Sequence, residues 1–252
     1  MTSFELTGKI ILINGASRGI GEAFAREFAR RGATVIVASR KQEGCEAVAR
    51  AIVEEGGQAV ARACHTGDLA QVDALFEWIE AEYGRLDGLV NNAATNPYFG
   101  PFVEAPEAAF DKTFDVNVKG YFLMAQRAAR LMIKAGGGSI LNIASIEGIS
   151  PSPMMAIYSM TKAAVIMMTK TIAKELGGAG VRCNCICPGL TETKFAKVLI
   201  DTPEIRDRQV GKTPLGRHAQ PEEMAGAAVY LMSDAASFTT GAILTVDGGA
   251  VV

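Results

Sequence analysis

Short apolar runs alternate with amphipathic helical patterns along the whole chain, and this alternation limits the possible folds more than any other feature. The runs are rich in Val, Ile and Leu, and helical patterns of about 10–15 residues separate most of them. Strands that alternate with helices indicate βαβ units, and continuous apolar character is typical of strands that are covered on both faces. The sequence therefore predicts an α/β fold, a doubly wound parallel sheet of about seven strands with helices on both faces.

The same pattern predicts the position of each element. We expect strands at residues 9–14, 34–39, 58–64, 86–91, 139–145, 181–187 and 242–246. We expect helices at about 20–31, 43–55, 71–83 and 107–134, one around Tyr158 and one that ends at Met232, with loops between the sixth strand and about Gln220. No linker, repeat or low-complexity segment interrupts the pattern. We therefore expect a single domain over residues 1–252, with a substrate loop at about 191–212.

Charge and hydropathy exclude several classes of protein. The chain has 25 Lys and Arg against 27 Asp and Glu, which gives a net charge of -2. This balance argues against binding to nucleic acid or to a membrane surface. No apolar run approaches the ~18 residues of a spanning helix, and the first ten residues do not have the pattern of a secretory signal. We expect a cytoplasmic protein.

Three of the five cysteines alternate in the segment VRCNCICPG, at Cys183, Cys185 and Cys187. An odd number of cysteines does not suit a disulfide framework. Side chains two residues apart on a strand stand about 6.6 Å apart, which is too far for thiolates that share one zinc ion. We therefore predict buried thiols and no metal site.

Three glycines, Gly15, Gly19 and Gly21, follow the first strand directly and precede a helix. Glycines permit a tight turn and a close approach of the backbone to a ligand, and the helix N-terminus offers free N–H groups to a diphosphate. In the first strand-to-helix turn of a βαβ unit, this pattern predicts a dinucleotide site.

The segment GASRG also matches the G-x-S-x-G turn of α/β hydrolases, with Ser17 as the nucleophile. That chemistry needs a histidine and an acid, and the chain has only His65 and His218. A hydrolase does not account for Gly21, so we regard this alternative as the weaker one.

Tyr158 and Lys162 are four positions apart in a helical pattern, so they share one helix face. One interpretation is an ordinary amphipathic helix with a solvated lysine. The other is a tyrosine whose pKa is lowered by the neighbouring cation, so that it exchanges protons near neutral pH.

Together these motifs resemble the short-chain dehydrogenases/reductases, in the single-domain branch of about 250 residues. NNAA at 91–94 is similar to the family's segment after the fourth strand, with Ala94 where glycine is usual. Asn117, Ser145, Tyr158 and Lys162 match the family's catalytic tetrad in order and approximate spacing, and Pro188-Gly189 with Thr193 matches its nicotinamide loop. Asn14 stands where the family usually has threonine, which puts a local hydrogen bond in doubt.

The resemblance implies a Rossmann-type fold and a role for each member of the tetrad. Tyr158 would donate the proton in carbonyl reduction, and Ser145 would donate a hydrogen bond to the substrate oxygen. Lys162 would favour the phenolate and hold the nicotinamide ribose, while Asn117 would support a proton-relaying water. The cofactor residues implied are Gly15, Ser17, Arg18, Gly19, Ile20, Gly21, Ser39, Arg40, Asp68, Leu69, Asn91, Ala93, Tyr158, Lys162, Pro188, Gly189, Thr191 and Thr193.

The residues after the second strand indicate which cofactor is bound. An acidic residue there would accept from the adenosine 2′-hydroxyl and repel a 2′-phosphate. The chain has Ser39, Arg40 and Lys41 instead, and Arg18 in the glycine turn adds a cation. We therefore expect NADP(H) rather than NAD.

The sequence says less about the substrate. The expected pocket residues, besides the substrate loop, are Thr95, Asn96, Ile146, Glu147, Met154 and Met155. Methionines pack adaptably, which suggests a tolerant apolar pocket for a small carbonyl or alcohol substrate. NNAATNP and SRK resemble the NADPH-dependent carbonyl/retinal reductases of the family. A 3-oxoacyl thioester reductase, an NAD-dependent alcohol or sugar dehydrogenase and an inactive nucleotide-binding regulator remain open.

Residues 163–168, AAVIMM, are six apolar positions in a row. A helix that is apolar on most sides is buried on more than one side, so we expect a closed homo-oligomer. The family resemblance implies a homotetramer.

Overall fold

The computed structural model describes residues 3–252 and contains one parallel sheet of seven strands in the order β3-β2-β1-β4-β5-β6-β7. The strands are β1 Ile10–Asn14, β2 Thr34–Ser39, β3 Gln58–Ala63, β4 Gly88–Asn91, β5 Gly138–Ile143, β6 Val181–Pro188 and β7 Ile243–Val246. The chain leaves β3 and returns to the other side of β1 as β4, so the strand order reverses between β1 and β4. This is the doubly wound topology that the sequence predicts, and ligands bind at such a reversal.

Nine α-helices occur in the described residues. They are α1 Gly19–Arg30, α2 Gln42–Glu54, α3 Leu69–Tyr83, α4 Glu107–Phe114, α5 Gly120–Lys134, α6 Ala156–Leu176, α7 Lys197–Asp201, α8 Pro203–Val210 and α9 Ala225–Met232. The expected long helix 107–134 is divided by a wide π-helical turn at Asp115–Lys119, and the expected loop after β6 contains two short helices. None of the helices within residues 3–252 combines the length and apolar character that crossing a bilayer requires.

Alternate side chains of the central strands pack into cores on opposite faces of the sheet. On one face, Ile11 and Ile13 pack with α1, α2 and α9, where the rings of Phe24 and Phe28 stack with 6.0 Å between centroids. On the other face, Leu12 packs with residues of α3 and α5. Both faces are therefore covered, which explains the continuous apolar character of the strands.

A row of buried asparagines crosses the carboxyl ends of three neighbouring strands. Asn14 Nδ2 donates to Asn91 Oδ1 at 2.8 Å, Asn91 Nδ2 donates to Asn142 Oδ1 at 3.0 Å, and Asn142 Nδ2 donates to Thr169 Oγ1 at 3.0 Å. We call these four residues the asparagine row. Asn91 is fully buried and does not line the cleft described below, so the structure gives its side chain a place in the sheet, and its contact with the cofactor stays a prediction. Its side chain points along the sheet because both neighbouring strands present amide partners to it.

The substitution of asparagine for threonine at position 14 keeps a local connection to β4. Asn14 Oδ1 accepts from the backbone N–H of Asn92 at 3.1 Å and of Ala93 at 2.7 Å. These bonds fix the start of the segment after β4, so the doubt about this position is removed.

Candidate active site

A deep cleft opens at the carboxyl ends of the strands, next to the reversal between β1 and β4. It brings together most of the cofactor and catalytic residues that the sequence predicts. Those that line it are Gly15, Ser17, Arg18, Gly19, Ile20, Ser39, Arg40, Ala93, Ser145, Tyr158, Lys162, Pro188, Gly189, Thr191 and Thr193. Asn117, Gly21, Asp68, Leu69 and Asn91 do not line it.

The turn between β1 and α1 needs its glycines. Gly15 has φ +73°, and a Cβ there would lie 2.7 Å from the backbone of Ala93. A Cβ at Gly21 would lie 2.4 Å from the carbonyl oxygen of Gly15, so Gly21 acts beneath the turn and not on the cleft. No side chain caps the N-terminus of α1, which leaves its N–H groups free for an anion. This backbone fits a dinucleotide diphosphate.

Two cations stand at the end of the cleft where the glycine turn meets β2. Ser17 Oγ donates to Ser39 Oγ at 3.0 Å, which joins the two segments. Arg18 and Arg40 are exposed and line the cleft, and neither forms a salt bridge within the described residues. Their guanidinium groups are therefore available to an anionic ligand.

Asp68 and Leu69, the two residues predicted to flank the adenine, do not line the cleft. Asp68 caps α3, with Oδ1 accepting from the backbone of Gln71 at 3.2 Å and Oδ2 from its side chain at 2.8 Å, and Leu69 is half exposed. The segment Cys64–Thr66, which follows β3 directly, lines the cleft instead. The carboxyl end of a parallel strand is the sequence signal that could have identified this segment.

Tyr158 and Lys162 lie side by side at the base of the cleft, almost fully buried. Lys162 Nζ donates to the carbonyl oxygen of Ile143 at 2.7 Å and lies 5.5 Å from the centroid of the Tyr158 ring. Burial lowers the pKa of Lys162 to about 8.

Burial also raises the pKa of Tyr158 above its ordinary value. A hydrogen bond with Ser145 acts in the opposite direction but is smaller, and the charge of Glu147 raises the pKa further. The net direction is upward, because desolvation disfavours the phenolate more strongly than its neighbours favour it, and a lowering of this pKa by Lys162 stays a prediction.

Asn117 lies in the wide turn between α4 and α5 and is fully buried. Its Oδ1 accepts from Thr95 N at 2.9 Å, and its Nδ2 donates to Thr95 O at 3.0 Å and to Thr161 Oγ1 at 3.1 Å. It thus connects a residue of the cleft wall to α6 beside Lys162. A role in holding a water stays a prediction.

Residues 193–213, which we call the lid, form the outer wall of the cleft. At one end Glu192 N donates to Ala219 O at 2.8 Å and Ala219 N donates to Leu190 O at 2.9 Å. Beyond the other end Leu215 N donates to Gly248 O at 3.2 Å. Phe195 of the lid packs over Tyr158, with 5.7 Å between ring centroids, so the lid shields the phenol from water.

The inner wall of the pocket is less apolar than the sequence suggests. Thr95, Ile146 and Met155 line it as expected, whereas Asn96 and Met154 do not. Glu147 also lines this wall, as expected. The pocket is therefore polar on the side next to Ser145.

The remaining sequence alternatives lack the required geometry. Ser17 Oγ donates to Ser39, His65 Nδ1 accepts from the backbone of Gly67, and His218 Nε2 lies 3.2 Å from Glu192 Oε2, so the serine–histidine pair of a hydrolase is not formed in the described part of the chain. All five cysteines are free and buried, and Cys185 Sγ lies 4.0 Å from Cys187 Sγ. No group of three or more metal-ligating side chains occurs among residues 3–252.

Comparison with known proteins agrees with this geometry. A family model described as enoyl-(acyl carrier protein) reductase matches residues 15–251. A bovine protein, dehydrogenase/reductase SDR family member 4, is 37% identical over 98% of this chain and 88% of its own length.

Two solved structures have nearly the same fold. A gluconate 5-dehydrogenase from Burkholderia cenocepacia, in complex with NADP and tartrate, has a TM-score of 0.95 and 36% identity over 98% of this chain and 96% of its own. A 7α-hydroxysteroid dehydrogenase, complexed with NADH and 7-oxoglycochenodeoxycholic acid, has a TM-score of 0.93 and 37% identity over 98% and 95%. With these matches over almost its full length, the chain belongs to the short-chain dehydrogenases/reductases and is an oxidoreductase of alcohol and carbonyl groups.

Proposed function

We propose that this protein is an NADP(H)-dependent reductase of ketones or aldehydes, which also catalyses the reverse oxidation of the alcohol. The observation that carries the cofactor assignment is the pair of unpaired cations, Arg18 and Arg40, beside Ser39 at a position without a carboxylate. The gluconate 5-dehydrogenase complex with NADP supports it, whereas the steroid dehydrogenase complex contains NADH.

The arrangement of side chains supports proton donation by Tyr158. When bound, the cofactor supplies the hydride. The raised pKa of Tyr158 keeps the phenol protonated at neutral pH, and only this form can donate a proton to the substrate oxygen. Ser145 donates a hydrogen bond to the same oxygen as negative charge develops there. Lys162, fixed by Ile143 O, places a cation next to the phenolate that remains.

The proposal also covers catalytic competence, domain organisation, location and oligomeric state. The joint presence of Asn117, Ser145, Tyr158 and Lys162 argues against an inactive regulator. We further propose a single catalytic domain that acts as a cytoplasmic homotetramer. Support for the oligomer comes from α6, where Met160 and Met167 are 40% and 60% exposed on the outer face. Sedimentation at micromolar protein would show a monomer if this part is wrong.

The cofactor assignment is tested by kcat/KM for NADPH and NADH with one ketone, in wild type and four variants. A charge-assisted hydrogen bond contributes about 1.5–3 kcal/mol, which corresponds to about 10- to 150-fold. We therefore expect Arg40→Ala and Arg18→Ala each to reduce kcat/KM for NADPH by about that factor and to change the NADH value much less. Ser39→Asp should reverse the preference, because it repels a phosphate and accepts from a 2′-hydroxyl.

Lys41→Ala is the matched control, because Lys41 is a neighbouring exposed cation that does not line the cleft. This variant should leave the ratio of kcat/KM for NADPH to kcat/KM for NADH unchanged. A wild-type preference for NADH, or equal losses for both cofactors in Arg40→Ala, would overturn the assignment.

A further inference from the structure

Among the described residues that line the cleft, Glu147 is the one acidic residue. The charged residues around it on the cleft wall are all cations, namely Arg18, Arg40, Lys112, Lys162 and Lys194. Glu147 lies two positions after Ser145, in the short turn Ile146–Gly148, so it belongs to the substrate side of the cleft. It forms no salt bridge within the described residues.

The carboxylate of Glu147 is held in one orientation by neutral donors. Oε2 accepts from Ser152 N at 2.8 Å and from Ser159 Oγ at 3.0 Å, and Oε1 accepts from Ser152 Oγ at 2.6 Å. A carboxylate has about four acceptor positions, so these three bonds leave one open, on Oε1. The donors keep the charge uncompensated and the side chain fixed, which are the properties of a preorganised acceptor.

The carboxylate also lies close to the reacting group. Glu147 N donates to Ser145 Oγ at 3.1 Å, and Glu147 Oε2 accepts from the hydroxyl of Ser159, the residue that follows Tyr158. Since Tyr158 and Ser145 both act on the substrate oxygen in the proposed function, the neighbouring acceptor is positioned for a substituent on the adjacent carbon.

We infer that Glu147 selects substrates with a hydroxyl group next to the reacting carbon, by accepting a hydrogen bond from that hydroxyl through Oε1. The substrate class is α-hydroxy ketones and, in the oxidative direction, vicinal diols. The same charge repels a substrate with a carboxylate at that position. This inference rests on the proposed function and specifies its substrate.

A structural role would also account for the three hydrogen bonds, because they join the turn after Ser145 to the start of α6. The two roles differ in one respect. A structural role changes the turnover of every substrate by a similar factor, whereas a recognition role changes the ratio between substrates that differ only at the recognised group.

Three ketones with the same butyl group form the test, namely 1-hydroxy-2-hexanone, 3-heptanone and 2-oxohexanoate. The group attached to the carbonyl opposite the butyl chain is a hydroxymethyl in the first, an ethyl in the second and a carboxylate in the third. We measure kcat/KM for each with saturating NADPH. Wild type should prefer the hydroxy ketone to 3-heptanone by roughly 10- to 100-fold, the range for a hydrogen bond to a charged group, and 2-oxohexanoate should be poorest.

Glu147→Gln keeps the shape of the side chain and removes its charge. This variant should reduce the preference for the hydroxy ketone over 3-heptanone by about tenfold. It should also raise kcat/KM for 2-oxohexanoate relative to that for 3-heptanone. Ser152→Ala is the control, because it removes one donor to Glu147 and keeps the carboxylate, and it should preserve the ratios. In Glu147→Gln the pH profile of alcohol oxidation should also move to lower pH.

Equal factors for all three ketones in Glu147→Gln, or no wild-type preference for the hydroxy ketone, would overturn the inference. The wild-type comparison stands by itself if the variant does not fold. The proposed function has a separate readout, since reduction of 3-heptanone by wild type and its loss in Tyr158→Phe do not depend on Glu147. If wild type reduces none of the three ketones, both the inference and the proposed function are overturned.

Discussion

Asn91→Ala offers a direct test of the asparagine row, because the resemblance to the family assigns this residue to the cofactor and the structure assigns it to the sheet. The substitution removes the acceptor of Asn14 Nδ2 and the donor to Asn142 Oδ1. It also removes the bond from Asn91 to the carbonyl oxygen of Tyr121, at 3.2 Å. Two side-chain groups inside the protein then have no partner.

The expected loss of stability follows from those two groups. A buried polar group without a partner costs about 1–3 kcal/mol, so we expect the free energy of unfolding to fall by about 2–6 kcal/mol. That is a large share of the about 5–15 kcal/mol that stabilises a typical domain. Asn92→Ala is the matched control, because this neighbouring side chain makes one partly buried bond, to Gly15 O at 2.9 Å. It should lose about 0.5–1.5 kcal/mol.

Urea unfolding at fixed protein concentration measures the stability, and fluorescence titration measures NADPH affinity. In the Asn14→Ala/Asn91→Ala double variant, the loss should be smaller than the sum of the single losses, since the Asn14 donor is then absent. An Asn91→Ala protein that is as stable as wild type but binds NADPH much more weakly would refute the reasoning, because it would show that Asn91 contacts the cofactor.

Three further predictions follow. Tyr158→Phe should lower kcat for ketone reduction by at least about a hundredfold, with thermal stability and NADPH binding unchanged, and more than a tenth of wild-type kcat would contradict the proton-donor role. Phe195→Ala should expose the phenol, lower its pKa and move the pH profile of alcohol oxidation to lower pH, whereas an unchanged profile would show that Phe195 does not shield it. Stability should fall in alkali, because burial raises the pKa of Cys64 to about 11 and of Cys183 to about 12. The contribution of these two neutral thiols to the free energy of unfolding is complete below the ordinary thiol pKa of 9.0. It is lost as the pH rises through the raised pKa values of about 11 and about 12. Because the pKa of Lys162 is lowered, its own effect is to raise the free energy of unfolding between pH about 8 and 10.5. The loss caused by the two thiols is larger than this gain. Urea unfolding from pH 8 to 11 should show the fall, and Cys64→Ala should reduce its slope; a free energy of unfolding independent of pH would contradict the assignment.

Features with a local cause were predictable from the sequence. The strands and their parallel arrangement follow from apolar runs that alternate with helical patterns, and the turn at Gly15 and Gly19 follows from its place between β1 and α1. Tyr158 and Lys162 are together because a helix puts positions four apart on one face.

Features that depend on contacts distant in sequence were not predictable. The wide turn at Asp115–Lys119 has an ordinary helical sequence, and its Asn117 bonds to Thr95 and Thr161, which come from other parts of the chain. The direction of the Asn91 side chain depends on partners from two neighbouring strands. The pKa of Tyr158 depends on burial, which includes the ring of Phe195 brought by the lid.

The way in which the lid is attached has a consequence for how such an enzyme can diversify. The bonds of Glu192 with Ala219 before the lid, and of Leu215 with Gly248 after it, are formed by backbone atoms. Backbone bonds do not depend on the side chains between them, so residues 193–213 can be exchanged for a related sequence while both attachment points persist. Provided that Thr193 is kept for the cofactor, we expect exchange of this segment to change the substrate range without new mutations in the sheet or the glycine turn.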